Sequence, residues 1–120
     1  GSWLVESANR KIYFAGDSGY FPGFAEYGRK FGPMDAALLP IGAYEPRWFM
    51  SVYHLDPDEA VKAYRELRAE VLIPQQWGVF DLTDEPMDMP ARDYRKAAQK
   101  AGLTEQQAPI VPHGGTYFLP

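Results

Sequence analysis

Short apolar runs alternate with helix-length segments along this chain, and that alternation admits few folds. Trp3 to Glu6 and Lys11 to Ala15 read as two strands around the turn Ala8-Asn9-Arg10, a hairpin pattern. Phe24 to Phe31 reads as a short helix stopped by Gly32-Pro33. Ala36 to Leu39 is a candidate buried strand. Asp56-Pro57-Asp58-Glu59 is a strong helix start. Asp56 caps, Pro57 suits the first turn, and Glu59 completes a capping-box pattern. Ala60, Tyr64, Leu67 and Val71 recur at helical spacing and mark a buried stripe. Val71 to Pro74 reads as a strand. Pro90 to Ala101 reads as a helix with Ala91, Tyr94 and Ala98 on one face and Gly102 as its stop. Ile110-Val111 and Thr116 to Leu119 are expected to be closing strands around the turn His113-Gly114-Gly115. The order β-β-α-β-α-β-α-β predicts an α/β fold with a mixed sheet.

With 120 residues, the chain suits a single domain over residues 1–120. Lys and Arg number 12 against 16 Asp and Glu, a formal net charge of −4. An acidic chain with no basic block is a poor match for a phosphate backbone, so no nucleic-acid partner is expected. There is no cysteine. That excludes a disulfide scaffold, thiolate zinc and a cysteine nucleophile, and leaves the compartment open. No stretch approaches the ~20 apolar residues of a transmembrane segment. The first residues carry no basic head and apolar run of a signal peptide. The expected location is cytoplasmic, with a membrane-peripheral placement as the alternative. The chain opens almost directly on a strand, which suggests a piece of something longer.

The chemistry-bearing residues gather in loops that follow strands, where open α/β sheets bind ligands. The first loop is Gly16-Asp17-Ser18-Gly19-Tyr20. Two glycines around an Asp make a tight loop that aims a carboxylate off the strand end. The second, Pro40 to Leu55, is long for a compact domain and holds Tyr44, Arg47, Trp48, Phe49, Met50, Tyr53 and His54. The third, Gln75 to Asp88, carries Gln76 and then Trp77-Gly78-Val79-Phe80. On spacing alone, Asp17 reads as a turn aspartate bonding its own loop amides, with a metal-bridging carboxylate as the sharper alternative. His54 alone reads either as a hydrogen-bonding loop residue or as a ligand. His113, between a proline and two glycines, reads as a turn residue. No histidine pair has ligand spacing, and two histidines without cysteine do not make a two-zinc site.

Four motifs in order carry a family resemblance. They are Phe14-Ala15-Gly16-Asp17-Ser18-Gly19-Tyr20; Pro40-Ile41-Gly42-Ala43-Tyr44-Glu45-Pro46-Arg47-Trp48-Phe49-Met50; His54 with Asp56-Pro57 and Glu59-Ala60-Val61; and Trp77-Gly78-Val79-Phe80. From Trp3 to Leu119 the chain resembles the C-terminal half of the metallo-β-lactamase-fold hydrolases. Within them it is most similar to the N-acyl-phosphatidylethanolamine-hydrolysing phospholipase D branch. The resemblance covers nearly all of this chain and about half of the family's domain.

The resemblance implies a fold: half of an αββα sandwich, one mixed sheet with helices on one face. It also implies roles. Asp17 matches the aspartate that bridges two metal ions, zinc in the complete family site. His54 matches the histidine at the active-site mouth that handles substrate or transfers protons. Gln76 stands where the family's last metal-ligand histidine precedes Trp-Gly-Thr-Phe, and a neutral amide is a poor zinc ligand. In such an enzyme the aromatic loop Tyr44 to Tyr53 would form an apolar channel or meet a membrane surface, with Tyr44, Arg47 and Trp48 as the substrate-binding candidates and Arg47 meeting a phosphate. The alternatives are that the loop packs core or a subunit contact and that Arg47 pairs Glu45. In the complete enzyme a metal-activated water attacks the phosphorus of a lipid phosphodiester. The family's HxHxDH motif and a further histidine ligand lie in the N-terminal half, so this chain alone is expected to be inactive and to hold no tight zinc. Its open sheet face is expected to need cover, either from a missing N-terminal half-domain or from a second copy in a homodimer. The alternative function is a non-catalytic, self-associating half-domain that keeps the scaffold without the metal site.

Overall fold

Four apolar runs form strands because their neighbours supply matching backbone partners. The computed structural model describes all residues, 1–120. The elements are β1 (Trp3–Glu6), β2 (Lys11–Phe14), α1 (Gly23–Phe31), β3 (Met34–Pro40), α2 (Arg47–Met50), α3 (Pro57–Glu66), β4 (Ala69–Gln75) and α4 (Met89–Lys100). The four strands form one sheet in the order β1-β2-β3-β4. β1 and β2 pair antiparallel as the expected hairpin, whereas β2, β3 and β4 run parallel. The sheet is therefore mixed, and its three parallel strands end on the same side.

The helices cover one face. Leu4, Tyr13, Ala37, Leu39 and Leu72 from the sheet pack with Phe24 of α1, Ala60 and Tyr64 of α3, and Tyr94 and Ala98 of α4. Full burial of such side chains contributes roughly 1.5–3 kcal/mol each. Gly28 sets the spacing of α1 against α3, since a Cβ there would collide with the carbonyl oxygen of Glu66. At the start of α3 the capping box forms as its sequence predicts. The Glu59 amide donates to Asp56 Oδ1 at 2.8 Å, and the Asp56 amide donates to Glu59 Oε2 at 3.1 Å.

The other face carries two apolar rungs set by the strand register. One runs Trp3, Phe14, Leu38, Ile73; the other runs Val5, Ile12, Ala36, Val71. At the outer end Trp3 is 70% exposed and Val5 60% exposed.

Three features depart from the sequence reading. β3 and β4 are longer than the apolar runs alone, because the parallel pairing extends from Met34 opposite Ala69 to Pro40 opposite Gln75. Val71 belongs to β4 and not to the stripe of α3. The helix stops at Glu66, and Arg68 reverses the chain at φ +56. The closing strands at Ile110-Val111 and Thr116–Leu119 do not form. Pro109, Pro112 and Gly114-Gly115 break any ladder there. The chain just before this segment reaches the β4 edge instead, where the Leu72 amide donates to the Gln107 carbonyl at 2.7 Å. No helix is long and apolar enough to cross a membrane.

Tyr94 joins these layers. Its hydroxyl donates to the Leu72 carbonyl at 3.1 Å, and burial pushes its phenol well above the ordinary value of 10.0. The unfolded chain releases this proton near pH 10 while the folded chain keeps it, so stability falls as pH rises above about 10. Circular dichroism between pH 9 and 12 is expected to show alkaline unfolding, and Tyr94→Phe is expected to lessen that dependence without removing it, since Tyr13, Tyr44 and Tyr64 are raised as well.

Candidate functional site

The carboxyl ends of β2, β3 and β4 meet at one cavity because the three strands are parallel and in register. It measures about 470 Å³, and its lining includes Asp17 from the loop after β2, Gly42 and Ala43 from the loop after β3, and Gln76 and Trp77 from the loop after β4. His54, just before the α3 cap, completes the polar set. Asp17, His54 and Gln76, separated by up to 59 residues in sequence, thus share one cavity.

Close backbone contacts hold these loops together. A Cβ on Gly42 would collide with the Gln76 carbonyl, and one on Gly19 would collide with the carbonyls of Ser51 and Val52. The first contact seats the β3 loop on the β4 loop. The second seats the Asp17 loop beside the approach to His54. Ala43 and Gln76, both lining the cavity, are held at φ +59 and +54. A non-glycine residue in this left-handed region carries roughly 1–2 kcal/mol of strain.

Two adjacent glutamines latch the Asp17 loop. Gln75 Nε2 donates to the Gly16 carbonyl at 3.1 Å, and Gln76 Nε2 donates to Asp17 Oδ1. His54 Nδ1 is sealed from water and has no hydrogen-bond partner. Nε2 is the ring nitrogen left for a hydrogen bond to a group in the cavity. His113 lies outside the polar set and braces it. Its Nε2 donates to the Trp77 carbonyl at 2.9 Å, and the two rings stack at 4.8 Å between centroids.

The cavity's outer wall is apolar. Trp77, Val79, Phe80, Leu82 and Met87 line it, and Phe80 and Leu82 are each 74% exposed at its rim.

Tyr44, Arg47 and Trp48 lie outside this lining. Tyr44 is buried, and its hydroxyl donates to Asp93 Oδ2 at 2.6 Å. Burial, and then the bond to Asp93, raise its phenol far above the ordinary value. Arg47 is a hub for the long loop. Its Nη1 donates to the carbonyls of Tyr44 and His54, each at 3.1 Å, and its Nη2 donates to Glu59 Oε2 at 2.7 Å. Its Nε lies 3.5 Å from Asp56 Oδ2. Trp48 is 84% exposed, with its ring tilted against that of Phe49.

The residues of this chain do not by themselves fit a metal ion. No three His, Cys, Asp or Glu side chains gather at ligand spacing. Asp17 Oδ1 already accepts from an amide, and the sealed Nδ1 removes half of His54's donor capacity.

Sequence reasoning missed Glu85, the one buried charged residue. It sits in an acidic loop and has no motif around it, so only the folded loop reveals its role. Its Oε1 accepts from the Tyr44 amide at 3.2 Å, and its Oε2 accepts from the Glu45 amide at 3.0 Å. Glu85→Ala leaves both amides unsatisfied and is expected to lower stability by about 2–4 kcal/mol. Hydrogen exchange is expected to accelerate at Tyr44 and Glu45, whereas Asp84→Ala, at an exposed neighbour, leaves both amides protected.

A Beta-lactamase superfamily domain model matches residues 1–77. The chain is 42% identical over 100 residues to N-acyl-phosphatidylethanolamine-hydrolyzing phospholipase D 1 of Caenorhabditis elegans, covering 82% of this chain and 28% of that protein. It is 40% identical over 79 residues to a UPF0173 metal-dependent hydrolase of Thermoplasma acidophilum, covering 66% of this chain and 31% of that protein. The chain thus spans under a third of these relatives' length. Among solved structures, the metallo hydrolase Igni18 of Ignicoccus hospitalis superposes with a TM-score of 0.64 at 24% identity, over 90% of this chain and 40% of that one. A Thermotoga maritima structure assigned to the metallo-beta-lactamase superfamily gives 0.57 at 26% identity, over 79% of this chain and 43% of that one. Fold, motif order and these likenesses agree: the chain belongs to the metallo-β-lactamase superfamily of metal-dependent hydrolases.

Proposed function

We propose that this chain is the C-terminal part of a metal-dependent hydrolase that cleaves a phosphodiester in a lipid headgroup, and that it is inactive by itself. The observation that carries the reading is the convergence of Asp17, His54 and Gln76 at one end of the sheet, under an apolar wall. The roles follow from chemistry. Asp17 offers a carboxylate oxygen at the cavity opening. His54 exchanges protons with bound substrate through Nε2. Trp77, Val79, Phe80 and Leu82 hold an acyl chain out of water. Zinc is the metal we assign to the complete site, with its remaining ligands outside these 120 residues.

A second reading has its own observation. The exposed outer ends of the two apolar rungs, Trp3, Val5 and Phe14, suit a sheet-on-sheet partner, and Asp17 already has a partner in Gln76. In this reading the chain is a non-catalytic half-domain that pairs with a second copy. A stable interface covers about 800 Å² per partner, and a twofold pairing of identical faces is the commonest route to it.

Three measurements test these readings. The 120-residue chain, given N-acyl-phosphatidylethanolamine and zinc, is expected to release no product. Chelator-sensitive turnover by this chain would overturn its assignment as inactive alone. In a protein that carries this chain with the remaining ligands, His54→Ala is expected to slow chelator-sensitive hydrolysis by roughly 10²–10⁴-fold. An unchanged rate there removes His54 from proton transfer. Light scattering of the chain at micromolar concentration is expected to give a dimer, and a concentration-independent monomer of 13.6 kDa refutes the pairing.

A further inference from the structure

The cavity's charge points to a ligand class that the superfamily reading does not supply. Asp17 and Glu85 both line it, and no Lys or Arg does. Glu85 places a carboxylate inside the wall, where it accepts from two backbone amides. Asp17 is exposed at the opening, and only one of its two oxygens is engaged by Gln76. The rim segment 81–88 adds Asp81, Asp84 and Asp88 with no basic residue. Asp88 is partly neutralised by Arg92, whose Nε lies 3.3 Å away. Arg47, the nearest basic residue on the second loop, is turned into its own carboxylates and carbonyls. A bare anion entering this cavity meets carboxylates at its opening, wall and rim.

The wall has the complementary character. Trp77 and Phe80 supply aromatic rings to the lining, and Val79, Leu82 and Met87 give the cavity an apolar side. Aromatic faces attract organic cations, by about 0.5–2 kcal/mol each. A carboxylate at one end of an apolar slot fixes the orientation of an amphiphile carrying one positive group.

We propose that this cavity binds an organic ammonium ion on an apolar body, with the ammonium at Asp17 and the apolar part against Trp77, Phe80 and Leu82. The free oxygen of Asp17 accepts from the ammonium. The tail displaces water from the rim, where Phe80 and Leu82 are exposed. A cavity of about 470 Å³ accommodates a chain of roughly eight carbons with its head group. The proposal needs neither a metal nor a hydrolytic step, so it stands or falls apart from the function proposed above.

The test uses three probes with one tail: octylammonium, octanol and octyl sulfate, each below its aggregation concentration and with chelator present. Amide chemical shifts and tryptophan fluorescence report the site and the affinity. Octylammonium is expected to perturb Asp17, Gln76, Gly78 and Phe80, and to bind about tenfold tighter than octanol, with octyl sulfate weakest. Asp17→Asn is expected to reduce the preference for ammonium over octanol to about twofold or less. Phe80→Ala is expected to weaken ammonium and octanol alike and to leave the preference intact, which keeps the test valid if the Asp17 variant folds poorly. Equal binding of the three probes overturns the proposal. So does a preference for sulfate, an absence of binding, or perturbation centred on Trp48 to Tyr53 in place of the cavity.

Discussion

Arg47 is the residue on which the long loop depends. A single guanidinium joins the carbonyls of Tyr44 and His54, the carboxylate of Glu59 and the carboxylate of Asp56. Those last two residues form the capping box of α3. One planar, permanently charged group therefore ties both ends of a loop to the start of the helix that packs against the sheet. Because His54 contributes its carbonyl to that hub, its ring is placed by the backbone and not by a side-chain bond. Its unpartnered Nδ1 is consistent with this. Glu85 performs the reverse service from the opposite side, accepting the Tyr44 and Glu45 amides that Arg47 leaves free. An anion and a cation thus hold the same short stretch, each satisfying the backbone groups that suit its charge.

The strain in the cavity lining is compatible with this bracing. Ala43 and Gln76 sit at positive φ at the ends of adjacent parallel strands. The close approach of Gly42 to the Gln76 carbonyl requires such a turn, because a side chain at residue 42 has no room. Neither residue would hold this conformation in a free peptide. Here the β3–β4 ladder below and the Glu85 and His113 contacts above over-determine it, as strained residues at binding sites require.

Much of this fold was legible in the chain. The hairpin, the three principal helices and the parallel strands follow from short apolar runs, glycine and proline stops and the Asp56 cap, all of which act within a few residues. Placing Asp17, His54 and Gln76 in loops after strands was legible too, since strand direction alone puts those loops on one side. The closing strands misled because an apolar run resembles a strand until prolines and glycines deny it a ladder. Glu85 and the Arg47 hub were illegible, since each acts across a loop on partners that no spacing rule connects.

The sequence by itself determined the element order, the helix start at Asp56, the acidic balance and the choice of a carboxylate, an imidazole and an amide for the three loops. These are local properties of propensity, capping and composition. Only the tertiary structure decided that the three side chains share one cavity, that Gln76 bonds Asp17, that Arg47 is consumed by the loop, and that Trp48 stays outside. Those outcomes rest on strand register and on backbone contacts between residues as far apart as Gly42 and Gln76, or Gly19 and Val52. Such distances become short only when β2, β3 and β4 align and the helices close over one face.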